Sequence, residues 1–129
     1  MAFINPVKGR ITSRFGTRTH PINGGKSFHS GVDISLPVGT TIVAPASGQI
    51  IQAWDDKKGG VCLAMLTENG VRFGFGHLLK RLVRNGEAVI EGQPIAESGN
   101  TGASTNPHLH FTMKMAGAWL DPLDHFNFK

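Results

Sequence analysis

Residues 100–111 read NTGASTNPHLHF, and the HLH near the end of this stretch sets the layout of the chain. In an extended strand successive side chains point to opposite faces, so His108 and His110 share one face while Leu109 takes the other. One face suits a core and the other suits polar chemistry. Elsewhere the chain repeats the same kind of segment: VDISLPVG, TTIVAP, GQIIQAW, GVCLAML, VRFGFGHL, GQPIAESG and HLHFTMKM, each bounded by turn residues. No run of ten or more residues carries a clean helical period. The expected fold is therefore all-β, with few, short helices.

Local punctuation refines this. Asn69-Gly70, between two strand-like runs, predicts a hairpin. Pro94 has no N–H to give to a ladder, which places it at a strand start or a sheet edge. VGTTIVAPASGQII and NGEAVIEGQPIA share a Gly, apolar, Gly-Gln, Ile layout, an internal echo of one hairpin unit.

At 129 residues the chain fits one domain, 1–129, large enough to bury a real core. Seventeen glycines and seven prolines suit a β chain with many tight turns. Thirteen basic residues against nine acidic ones give a net charge of +4, which suits contact with a polyanion. No Lys/Arg cluster is interleaved with aromatics, so nucleic acid is not an expected partner. The apolar runs are too short for membrane insertion, and the start MAFINPVKGR lacks the features of a secretory signal. That start fits a phage-borne protein or an excised domain of an exported one, and a monomer is favoured. Cys62 is the sole cysteine, which excludes an intramolecular disulfide; within VCLAML it reads as a small buried apolar residue.

Six histidines supply the candidate chemistry: His20, His29, His77, His108, His110 and His125. Singly, each reads as a structural residue; together they do not. His29 stands four residues before Asp33, and on a straight strand their Cα atoms would be ~13 Å apart at about 3.3 Å per residue. Sharing one ion requires the chain to bend between them, and Ser30-Gly31 supplies a residue free to take positive φ. Two imidazoles and one carboxylate leave a fourth position on zinc for water, the composition of a catalytic site. The absence of any cysteine pair argues against a closed structural zinc site. One imidazole of HLH is then left beside the metal, and the alternation in FGFGHL suggests His77 on the same face.

SRFGTRTHP, HSGVDISLPVGTTIVAPASGQI, GHL, SGNTGASTNPHLHF and DPLDHF together carry a resemblance that runs over nearly the whole chain. The sequence resembles the lysostaphin-type zinc metallopeptidases, which cut the peptide part of bacterial peptidoglycan. The resemblance implies one zinc ion (Zn2+) per chain on His29, Asp33 and His110, with His77 and His108 as catalytic histidines. It further implies a curved antiparallel sheet with a narrow groove walled by loops, and action at the bacterial cell wall on stem or cross-bridge peptides. The alternative is a peptidoglycan-binding or virion structural module of the same fold. No His-Glu-x-x-His motif is present, so a general base must come from elsewhere. The His77 and His108 that the resemblance implies as catalytic suit that role, since imidazole has an ordinary pKa of about 6.5.

Two departures from the resemblance concern groove shape: Phe75 where relatives often carry Tyr, and Asn106 where they commonly carry Gly. His20 and His125 read as turn or surface residues, and Asp55-Asp56-Lys57-Lys58 as a solvated turn. Arg14 and Arg18 are candidates for pairing with acidic groups or for accepting a substrate carboxylate.

Overall fold

The structure is a computed structural model and describes residues 2–19 and 22–129. Its strands are β1 (Arg10–Ser13), β2 (Gly16–Thr19), β3 (Lys26–His29), β4 (Gly31–Ser35), β5 (Thr41–Val43), β6 (Gly48–Asp56), β7 (Gly60–Thr67), β8 (Val71–Arg81), β9 (Ala88–Val89), β10 (Pro94–Ser98), β11 (His108–Met115) and β12 (Ala118–Leu120). A single 3-10 turn, Pro122–Asp124, is the only helical element among the described residues, in line with the all-β expectation.

The main sheet is antiparallel and runs β1-β4-β11-β8-β7-β6-β9, with β12 beside β11 and β10 bridging β8 and β5. The β2-β3 ribbon stands apart from it. Alternation along the central strands sorts the side chains. Ile34, Leu63, Met65, Phe73, Leu109, Phe111 and Met113 are fully buried on one face, and the other face carries the histidines. A sheet this apolar on one side must be covered, and the two ends of the chain help to do so. Phe3 meets Phe73 edge-on at 5.1 Å and stacks on Phe126 at 5.6 Å, while Phe126 and Phe128 pack edge-on against Phe111. Each such ring contributes about 1.5–3 kcal/mol by leaving water.

The predicted hairpin joins β7 to β8, but its turn is not the two-residue kind. Only Gly70 has positive φ (82°), and its N–H donates to the Thr67 carbonyl at 3.1 Å, giving a three-residue loop whose last member is left-handed. Pro94 is the first residue of β10, a strand paired on both sides, so the strand-start alternative applies. The internal echo is not a repeated hairpin. Its two copies pair with each other instead, β5 with β10 and β6 with β9, so each half completes the other.

Candidate active site

Register on the polar face places the first functional row. His110 of β11 lies opposite Asp33 of β4 on one side and Gly76 of β8 on the other, and His108 lies opposite Ser35. His29 ends β3, where the chain crosses from the ribbon to the main sheet at Ser30. The bend expected at Ser30-Gly31 exists, but Gly31 does not take positive φ. Its role is close approach: a Cβ at Gly31 would stand 2.2 Å from the Phe111 carbonyl oxygen, so only glycine lets β4 lie against β11 there.

The crossing brings three donor atoms together. His29 Nε2 is 3.3 Å from Asp33 Oδ1 and 3.3 Å from His110 Nδ1, and His110 Nδ1 is 3.0 Å from Asp33 Oδ1. Ligands bonded at about 2.0–2.2 Å to a tetrahedral ion stand roughly 3.3–3.6 Å from one another, so this triangle has nearly the size of one face of such a site. The His29 tautomer sharpens the point. His29 Nδ1 lies 3.0 Å from the Arg14 carbonyl, which can only accept, so Nδ1 carries the proton and Nε2 presents a lone pair toward a carboxylate oxygen. A cation between them, a proton or a metal ion, resolves that conflict. In the protein alone the hydrogen bond to Asp33 raises the His29 pKa above its ordinary value, against the opposing effect of burial. Burial pushes the Asp33 carboxyl up, but hydrogen bonds from His110 and His29 outweigh it and hold the group well below the usual carboxylate range. Ser13 Oγ is 3.3 Å from His29 Nδ1 and accepts from Arg18 Nη1 at 3.0 Å.

His77 reaches the same face by a route the alternation did not foresee. Phe73 and Phe75 face the core, so a regular strand would send His77 there as well. Instead β8 bulges: His77 has φ 61° and Leu78 takes the buried position. A left-handed non-glycine residue in a strand is sparsely populated and needs outside support. Here the His77 N–H donates to the Gly59 carbonyl at 2.7 Å and Nδ1–H donates to the Thr101 carbonyl at 2.7 Å. The two supporting loops touch backbone to backbone, since a Cβ at Gly102 would fall 2.4 Å from the Gly60 nitrogen. Thr101 Oγ1 ties them further, accepting from Val61 N–H at 3.1 Å and donating to the Leu78 carbonyl at 2.6 Å. Burial lowers the His77 pKa, with the Thr101 contact acting in the opposite direction.

His108 is held in the same manner. Its Nδ1 lies 2.7 Å from the Asn106 carbonyl and 3.2 Å from Ser104 Oγ, and its Nε2 is 3.8 Å from Asp33 Oδ1. The rings of His77 and His108 have centroids 4.6 Å apart. In both, Nδ1–H donates to a main-chain carbonyl, which leaves Nε2 of each as the proton acceptor.

These groups line a groove of about 540 Å3 whose walls include Trp54, Lys58, Ser104 and Trp119. The Asp55–Lys58 segment is more than a solvated turn. Asp56 accepts from Trp54 Nε1 at 2.9 Å and from the Lys58 N–H at 2.9 Å, and Asp55 pairs with Arg81 at 2.7 Å. Cys62 is buried as expected, and that burial pushes its thiol up to about 11, so the group stays an uncharged thiol at neutral pH. Neither departure noted in the sequence reaches the histidines through its side chain: Phe75 packs on Phe111 at 5.4 Å, and Asn106 acts through its carbonyl. Among the described residues Arg14 and Arg18 pair with no acidic group; they stand behind His29, one through its carbonyl and one through Ser13. His125 is exposed, near the Phe3 ring, and His20 lies outside the described residues. The three carbonyls that orient the imidazoles, from Arg14, Thr101 and Asn106, escaped the sequence reading because a carbonyl has no residue identity. Their one signal was position, inside the quoted stretches SRFGTRTHP and SGNTGASTNPHLHF.

Residues 27–122, a span that holds all five of these groups, match the model of peptidase family M23. The chain belongs to peptidase family M23. The M23 chain is 34% identical over 111 residues to the peptidoglycan DD-endopeptidase ShyA of Vibrio cholerae, covering 85% of this chain and 26% of that protein. Among solved structures, a zinc-containing peptidase from Vibrio cholerae superposes with a TM-score of 0.88 at 33% identity, over 94% of this chain and 39% of that one. The catalytic domain of lysostaphin from Staphylococcus simulans superposes with a TM-score of 0.79 at 34% identity, over 90% of each chain. The M23 chain spans about a quarter of the length of the curated relatives it matches.

Proposed function

We propose that this chain is a zinc-dependent endopeptidase that hydrolyses peptide bonds in the stem or cross-bridge peptides of bacterial peptidoglycan, acting at the cell wall as one domain, 1–129. The observation that carries this reading is the triangle of His29 Nε2, Asp33 Oδ1 and His110 Nδ1, with sides of 3.0–3.3 Å, at the floor of an open groove. His29, Asp33 and His110 would hold one zinc ion. The chemistry zinc supplies when bound is Lewis-acid polarisation of an amide carbonyl and acidification of water. Asp33 is the single anion among the three, so the loaded site keeps net positive charge, which favours the oxyanion formed when water adds to an amide. His77 and His108 handle the protons. Each is fixed by a main-chain carbonyl at Nδ1, so Nε2 of one takes the proton of the attacking water and delivers it to the leaving amine. The second imidazole sits beside the first and, as an imidazolium that has taken a proton from solvent at Nε2, would donate a hydrogen bond to the developing oxyanion.

ShyA is named a peptidoglycan DD-endopeptidase and lysostaphin an antimicrobial peptidase, which supports the substrate class. The test is release of new amino groups from purified peptidoglycan by zinc-loaded protein, with chelated and zinc-restored protein in parallel. Loss on chelation and recovery with zinc is the expected result. Activity that survives thorough chelation, or new reducing sugar ends in place of amines, overturns the reading.

A further inference from the structure

The polar face continues beyond the histidines, and its far end is charged. Along β11 the residues His108, His110, Thr112 and Lys114 share this face, and across β8 they meet Gly76, Gly74 and Arg72, with Arg72 opposite Lys114. On the other side of β11, Trp119 of β12 lies opposite Lys114. Arg72, Lys114 and Trp119 thus form one row across three strands. Like charges placed directly opposite on antiparallel strands repel. Neither cation has an ion-pair partner among the described residues. Arg72 donates to Gln52 Oε1 at 3.3 Å, and Lys114 Nζ lies 4.6 Å from the Trp119 ring centroid. The neighbour of Arg72 on β7 is Leu66, which is uncharged. The groove's carboxylates other than Asp33 come down to Asp56, already engaged by Trp54 and by main-chain N–H groups.

His110 and Lys114 are four positions apart on β11, about 13 Å at the strand rise. Nothing bulky stands between them on β8: Gly74 faces Thr112, where a Cβ would lie 2.3 Å from Thr112 Oγ1. An extended peptide laid along this floor rises at the same rate. A group about four residues from the bond under attack therefore comes to rest over the charged row.

Resting on the peptidase reading above, we propose that Arg72 and Lys114, with Trp119 beside them, form a subsite that anchors a free carboxylate of the peptide substrate about four residues from the scissile bond. The guanidinium of Arg72 offers a planar pair of donors to the carboxylate, and Lys114 adds a second charge. The indole of Trp119 packs against the adjoining peptide. A substrate whose carboxylate is masked as a carboxamide loses both attractions and keeps only the packing.

The test uses a synthetic cross-linked stem-peptide dimer in two forms, identical except that the distal carboxylates are free or converted to carboxamides. Binding is followed by tryptophan fluorescence in a His108→Ala background, in which turnover is slowed enough to read binding at short times; Trp54 and Trp119 both line the groove. The free-carboxylate form is expected to bind about tenfold more tightly than the carboxamide. Arg72→Gln brings that ratio near one, Lys114→Gln lowers it by a smaller factor, Arg72→Lys keeps part of it, and Arg84→Gln on an exposed loop leaves it intact. Equal affinity for the two forms in the parent, or a preference that survives both Arg72→Gln and Lys114→Gln, overturns the proposal. If zinc-loaded protein with His108 in place cuts neither form while the preference holds, the peptidase reading fails and the subsite stands. Cleavage of both forms with no preference removes the subsite alone.

Discussion

The donor triangle and the pair His77 and His108 occupy neighbouring positions on one sheet face, yet they are held by different means. Two members of the triangle, Asp33 and His110, project from directly opposed positions on adjacent strands, so sheet register sets their spacing. The pair depends on loops: His77 is a bulged, left-handed residue clamped by Gly59 and Thr101, and His108 is oriented by Asn106. Register is rigid because slipping it by one residue would turn every core side chain outward. The comparison separates a triangle of donors spaced mainly by sheet register from a pair of imidazoles oriented by loop carbonyls, which on the proposed reading divides metal binding from proton transfer.

The strongest way to break that division is to remove a member of the triangle. Asp33→Ala or His110→Ala should abolish stoichiometric zinc, read by elemental analysis after gel filtration, and should lower amine release by about 10^3-fold or more, since several kcal/mol of Lewis-acid stabilisation goes with the ion. His108→Ala or His77→Ala should keep one zinc per chain and lower kcat by about 10^2- to 10^4-fold, the range for a lost general acid-base group. If His108→Ala released the zinc while His110→Ala retained it, the two roles would be exchanged.

A milder change probes the support behind His29. Ser13→Ala removes the hydroxyl next to its Nδ1 and the link to Arg18, and should weaken zinc affinity by about 10-fold, measured by competition with a chelator, with little loss of activity at saturating zinc. An unchanged affinity would show that the Arg14 carbonyl alone orients the ring.

The pH dependence separates the two regions most finely. Burial disfavours the His77 imidazolium, so in the folded protein the ring stays neutral to below its ordinary 6.5. If His77 is the base, the acid limb of kcat/KM at saturating zinc lies below pH 6.5; a limb clearly above that value rules out His77 in that role. His77 protonation also carries a stability sign: its neutral form costs nothing above pH 6.5, and folding stability is lost as pH falls below that value because the unfolded chain takes the proton more readily. His29 behaves in the opposite sense, holding its proton to higher pH through Asp33, so protons should begin to displace zinc at a pH above 6.5. Because activity needs the ion, kcat/KM at limiting zinc should fall together with zinc occupancy at that higher pH, and the His77 limb should emerge only at saturating zinc.

How far the sequence alone reaches follows from which properties are local. Alternation on a strand is a local property, and it correctly put His108 and His110 together with Leu109 in the core. Turn chemistry at Asn69-Gly70 and the placement of Pro94 are local as well, although the count of turn residues depended on the strands they join. The identity of the candidate donors was legible because only a few side chains offer a neutral nitrogen or a carboxylate, and this chain concentrates them in two short motifs.

The tertiary structure decided what lies beyond that range. His110 and Asp33 are 77 residues apart, and only the pairing of β11 with β4 makes them neighbours. His77 was expected on the groove face by alternation, but alternation counted through Phe73 and Phe75 leads to the core; a bulge held by two distant loops reverses it. The Gly31 requirement was likewise a matter of a neighbouring strand and not of its own φ. The two echoing segments look like copies of one hairpin until the sheet pairs each with the other. Residue type and periodicity determine which groups can do chemistry and which face each takes on its own strand. Register, bulges and main-chain carbonyls belong to the assembled sheet, because they are contacts between segments that no single segment contains.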